Sequence, residues 1–173
     1  IILRINSPGG SPVQAGYIND EIQRLREKHP DIPVYAVVVD VCASGGYYIA
    51  SKATGIVAEP ATITGSIGVV GGKFVLRRFQ EDLLGITHDT LARGANADFF
   101  STLDHFSPEQ AEQYERLMLR IYDSFVGHVA EGRDLTREAV DAVAQGRIWT
   151  GKQALDLGLV DELGGLDVAL DMA

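Results

Sequence analysis

Six residues constrain this chain more than any others: Val34-Tyr35-Ala36-Val37-Val38-Val39. They are apolar and mostly β-branched, with no polar alternation. A strand of that kind is covered on both faces, as in a parallel sheet. Parallel strands need crossover connections, usually helical, and the flanking sequence has that form. Ile1–Ile5 is a short apolar run broken by Asn6-Ser7-Pro8-Gly9-Gly10. Ser11-Pro12 then predicts a helix start with Ser11 as N-cap, and Val13, Tyr17, Ile18, Ile22 and Leu25 keep a helical period to about Lys28. After the central run, Cys42-Ala43-Ser44-Gly45-Gly46 is a tight turn of small residues, and Tyr47–Lys52 reads as a short helix.

The same reading gives a strand at Gly55–Ala58, a loop at Pro60–Thr64 and a strand at Ser66–Val70. It continues with an amphipathic helix over Phe74–Leu84 closed by Gly85, a strand at Ile86–Leu91 and a loop over Arg93–Phe106. Ser107-Pro108-Glu109-Gln110 is a capping box opening a long helix, with Ala111, Tyr114, Met118, Ile121 and Phe125 on one face. That stripe reads as core or subunit contact. A further helix is expected over Thr136–Ala144. Thr150-Gly151-Lys152-Gln153 is a second capping box, whose helix Gly158 stops. Strands alternating with helices predict one α/β domain over residues 1–173 with a mostly parallel sheet. The chain opens inside a strand and closes inside a helix, so it is expected to be a piece of a longer protein, with targeting and membrane segments left to the rest.

Composition removes several function classes. Hydrophobic residues make up 46% and charged residues 23%, which excludes disordered and collagen-like chains. The net charge of −9 argues against general nucleic-acid binding. The lone Cys42 excludes a disulfide framework and reads as a small buried hydrophobe. Acidic residues lack metal-ligand spacing, and no metal or cofactor is expected.

Two turns remain as carriers of chemistry. Ser44 sits at a strand-to-helix corner among residues too small to shield it, which is half of a nucleophile elbow; Cys42 stands where the elbow has its first glycine. Gly9-Gly10 lies at another such corner. Taken singly, each is equally a packing turn. Together, adjacent parallel strands bring their C-terminal ends to one sheet edge. The Gly10 and Gly45 amides then flank one carbonyl with Ser44 in reach, an acyl-transfer site in outline.

Asn6-Ser7-Pro8-Gly9-Gly10, Ala43-Ser44-Gly45-Gly46-Tyr47-Tyr48 and Thr64-Gly65-Ser66-Ile67-Gly68-Val69 resemble, in order and spacing, the S49 serine peptidases, the signal peptide peptidase A (protease IV) family. Gly146–Gly151 and Gly158–Gly164 are also similar to that family, so the resemblance covers nearly the whole chain. It implies a crotonase/Clp-protease-like fold of stacked ββα units and a Ser–Lys dyad. By that resemblance Ser44 is the nucleophile, Gly10 and Gly45 supply the oxyanion hole, and Ser66 holds the lysine. It further implies a peptide substrate such as cleaved signal peptides, a ring-like homo-oligomer, and a parent anchored at the outer, periplasmic face of the bacterial inner membrane.

The base is the departure. The lysines are Lys28, Lys52, Lys73 and Lys152, none at the family position. There, three residues after Gly94 in the loop before the long helix, stands Ala97. The expectation is that this is the C-terminal half of a two-domain member and that the lysine comes from outside the fragment. An engineered Ala97 and a naturally inactive peptide-binding or oligomer-building domain are the alternatives. Lys52 is expected to point away from Ser44, and Lys73 to be a solvated charge at a helix start. His29, His88, His105 and His128 do not fall where a Ser–His–Asp triad of the Clp type needs one. His29 reads as exposed and His88 as structural. Tyr47-Tyr48 reads as half-buried packing. An acyl-CoA enzyme of the same fold is disfavoured by Ser44-Gly45-Gly46 with Ser66.

Overall fold

The computed structural model describes residues 1–173. Its elements are β1 (Ile2–Ser7), α1 (Pro12–Lys28), β2 (Tyr35–Ala43), α2 (Gly45–Ala50), β3 (Gly55–Ala58), β4 (Ile63–Gly65), α3 (Pro108–Arg133), α4 (Arg137–Val143), β5 (Ile148–Thr150), α5 (Gly151–Asp156), β6 (Glu162–Leu163) and α6 (Leu166–Met172), with one five-residue π-helical turn at Phe79–Leu83. Residues group into two compact units: Ile1–Val69 with Ile121–Ala173, and Val70–Arg120.

The first unit holds the sheet. Its order is β5-β4-β2-β3-β6, and β1 also pairs with β2. Every pairing is parallel except β4 with β5. β2 is the axis: Tyr35–Val38 pair with β1 and β3, and Val41–Ala43 pair with β4. The apolar run is buried on both faces, as its lack of alternation predicts. Ala36 and Val38 face one core with Tyr47, Ile56, Ile67, Val129 and Leu159. Val37 faces the other with Val57 and Ala169 of α6. A mixed α/β architecture with a mostly parallel sheet is thus the fold.

Register slips between Ile5 and Ser7 of β1, so that Ser7 stands opposite Cys42. Asn6 fills the gap: its Oδ1 accepts from the Val41 amide at 3.2 Å and its Nδ2 donates to Asp40 at 3.3 Å. The Ser107–Gln110 and Thr150–Gln153 capping boxes both form, and Gly158 stops α5 at φ +73°. The buried Asn19 of α1 donates to Tyr48 O at 2.7 Å, satisfying a carbonyl near the end of α2.

Four sequence expectations are corrected. The strand expected at Ser66–Val70 lies earlier, at Ile63–Gly65, because Ser66 adopts φ +49° and leaves extended space. Ser11 precedes α1 but makes no side-chain cap. The helix expected at Phe74–Leu84 is confined to the π turn and its flanks, and Phe74 is 82% exposed. Short helices depend on a packed apolar face, and these side chains lack one. Ile86–Leu91 has no strand partner and forms no strand; Leu91 is 98% exposed. β5 and β6, three and two residues long, are too short to show a period in sequence.

Candidate active site

β2 and β4 run in parallel register to the pair Ala43 and Gly65. One step on, both chains turn. Ser44 has φ +51° and Ser66 has φ +49°. Two non-glycine residues in left-handed space side by side store backbone strain, and they do so at the C-terminal end of the sheet. The Ser44 amide donates to Gly65 O at 2.9 Å, and the Ser66 amide donates to Arg147 O at 2.7 Å. One peptide group, Gly65–Ser66, therefore links both serines. Each serine is half-buried, and neither hydroxyl makes a hydrogen bond within the chain.

The Gly9-Gly10 turn closes over Ser44. A β-carbon on Gly9 would fall 2.7 Å from Ser44 Cβ and 3.1 Å from the Gly45 amide nitrogen. A β-carbon on Gly45 would fall 3.1 Å from the Gly10 nitrogen. The two turns touch backbone to backbone, and only glycine permits that approach. Gly46 is held as tightly, since its β-carbon would lie 2.8 Å from Ser7 O. The Gly10 and Gly45 amides make no hydrogen bond within the chain. Ser44, Ser66, Gly10 and Gly45 are thus neighbours: two free hydroxyls beside two free N–H donors.

The surroundings are dry on the core side. Tyr47 and Tyr48 of α2 are both buried, more fully than the sequence reading has them. Tyr47 Oη donates to Leu159 O at 2.8 Å, and burial drives its phenol above the ordinary range. Cys42 is fully buried, and desolvation pushes its thiol up to about 12.

Comparison with known proteins decides the family. The sequence profile of peptidase family S49 matches residues 26–173. The chain belongs to peptidase family S49. It is 41% identical over 173 residues to the serine protease SPPA, chloroplastic, of Arabidopsis thaliana, covering 99% of this chain and 25% of that protein. It is 38% identical over 175 residues to Protease 4 of Salmonella typhi, covering 100% of this chain and 27% of that one. A Brucella melitensis protein named Na(+)/H(+) antiporter NhaA is 39% identical over 169 residues; the match covers 96% of this chain and 22% of that protein. This S49 domain spans about a quarter of these relatives.

No lysine of this S49 domain joins the Ser44 cluster within its own unit. Lys52 lies beyond the opposite end of α2, where its ammonium pairs with Glu131 at 3.0 Å and donates to Gln23. Lys73, in the second unit, donates to Phe99 O at 3.0 Å and sits 4.3 Å from the Phe106 ring centroid. It is therefore engaged rather than solvated, and no helix begins at it. Ala97 is exposed in a turn closed by its amide to Gly94 O at 3.3 Å. His128 bonds Tyr48 Oη at 3.1 Å and Ser124 O at 2.8 Å, so it belongs to helix packing. His29 and His105 are exposed. Among the described residues no cluster of His, Cys, Asp and Glu could hold a metal, and no helix is long and apolar enough to cross a membrane. Sequence reasoning missed Asn6, Asn19 and the carbonyl of Arg147, because their roles depend on partners far along the chain.

Proposed function

We propose that this S49 domain carries the nucleophile of a serine endopeptidase that uses a Ser–Lys dyad, with Ser44 attacking, Gly10 and Gly45 receiving the oxyanion, and Ser66 orienting the lysine. The observation that carries the reading is Ser44 itself, strained at φ +51° beside two unbonded amides.

Ser44 Oγ attacks the scissile carbonyl carbon, and its proton passes to an uncharged lysine amine. The carbonyl electron pair moves onto oxygen, where the Gly10 and Gly45 amides donate to it. The C–N bond then breaks, and the ammonium returns the proton to the leaving amine. Water, deprotonated by the same amine, attacks the acyl-serine and releases Ser44. A lysine does this near pH 7 only if burial lowers its pKa. A hydroxyl partner such as Ser66 accepts from the amine without restoring its charge. Ala97 occupies the family's lysine position, so the amine comes from outside these residues.

The substrates are extended apolar peptides, cleaved signal peptides among them. β1 pairs only with β2, and its free edge beside the Asn6–Gly10 turn suits strand addition. The whole protein is a homo-oligomer at the outer face of a bacterial inner membrane, held there by segments outside this domain. The names of the chloroplast and Salmonella relatives support a protease.

The test is a fluorophosphonate probe on the full-length protein. Ser44 displaces fluoride and is labelled, and Ser44→Ala abolishes the label. Absence of labelling at Ser44, with the protein folded, would make this a non-catalytic peptide-binding domain.

A further inference from the structure

We propose that Trp149 is a positioning residue for the paired serines, acting through the Gly65–Ser66 peptide. The inference rests on the reading of Ser44 and Ser66 given above. That peptide accepts from the Ser44 amide at one end and donates to Arg147 O at the other. What fixes Arg147 therefore fixes both serines.

Arg147 lies in a tight turn. Gln145 and Gly146 have φ +58° and +76°. The turn is zipped to the Ser66 turn by two reciprocal bonds, Ser66 N to Arg147 O at 2.7 Å and Gly146 N to Ile67 O at 3.0 Å. A β-carbon on Gly68 would fall 2.8 Å from Gly146 Cα, so the two turns meet with no side chain between them.

Trp149 locks this pair from the far side. It stands opposite Thr64 in the antiparallel β4–β5 ladder. Its Nε1 donates to Val143 O at 2.9 Å, at the end of α4. Its Cδ1 lies where a β-carbon on Gly65 would come within 2.9 Å, and Gly65 has φ +81°. The indole thus spans from α4 to the backbone that carries Ser66. A single flat side chain with one donor meets three demands at once: ring contact on Gly65, closure of the Val143 carbonyl, and registry of the strand that follows Arg147.

The experiment compares Trp149→Phe with the unchanged full-length protein, in fluorophosphonate labelling and in hydrolysis of an apolar fluorogenic peptide. Phenylalanine keeps a ring against Gly65 and removes the N–H donor. Displacement of reacting groups by about 1 Å costs up to about 100-fold in rate. The expected result is kcat lower by about 10- to 100-fold with KM unchanged. The rising limb of the pH profile also moves to lower pH, because Ser66 as an acceptor supports the charged amine and its displacement removes that support. Gly65→Ala, which pushes a methyl into the indole, gives the same signature and serves if Trp149→Phe does not fold. Unchanged kcat and pH profile in a folded variant, with or without a lower Tm, overturns the inference while Ser44 labelling leaves the peptidase reading standing. If the unchanged protein shows no label at Ser44, the peptidase reading itself falls first.

Discussion

Ser44 and Cys42 are two residues apart and chemically opposite. Ser44 is half-buried on a left-handed backbone, whereas Cys42 lies in the core with no exposure. Burial raises the thiol from 9.0 to about 12, so the thiolate that reacts with electrophiles is scarce in the native protein. Iodoacetamide at pH 8 should leave Cys42 unmodified when folded and alkylate it in denaturant, as read by mass spectrometry. The same shift sets a sign for stability. Between about pH 9 and 12 the unfolded chain loses the Cys42 proton and the native one keeps it. Stability therefore falls as pH rises through that window and is unaffected by this group below it. Chemical denaturation at pH 8 and pH 10.5 should show the loss.

At the scale of elements, helices meet the sheet and one another through glycines and caps. Gly132 of α3 packs against the end of α2: a β-carbon there would lie 2.2 Å from Ser51 O. Backbone cannot give way as a side-chain tip can, so Gly132→Ala should lower stability by about 1–3 kcal/mol. A cooperative melt with a lower Tm is the check, and an unchanged Tm would contradict the packing. Thr150 caps α5 with a bond from the Gln153 amide at 3.3 Å, answered by Gln153 Oε1. Thr150→Ala removes that cap at about 1 kcal/mol. Its activity cost should be small beside that of Trp149→Phe, although the two residues adjoin, because Thr150 faces α5 and Trp149 faces Gly65.

For the molecule as a whole, charge and apolar exposure are in tension. The chain carries a net charge of −9 and a pI near 4.8. Residues Val70–Arg120 expose Val70, Phe74, Leu83 and Leu91, each more than 70% accessible. Repulsion keeps such surfaces apart at pH 7 and disappears near the pI. Light scattering of this 173-residue domain should show self-association rising as pH falls toward 4.8, and less so at pH 8. In the first unit β1, β2 and β3 were legible because they are apolar and punctuated by Gly and Pro. The second unit was not. Its alternating and helical periods over Phe74–Leu91 are present in the residues but unmatched by burial, and a period without a partner specifies no element.

The unalternating apolar run of β2, both capping boxes and the small-residue turns at Gly10 and Ser44 could be read from the residues, because each is set by neighbours within a few positions. Tertiary structure alone decided that Ser66 ends a strand rather than opens one, and that Arg147 and Trp149 stand behind it. Those contacts close across some eighty residues, and only the folded sheet brings such distant backbone groups within hydrogen-bond reach.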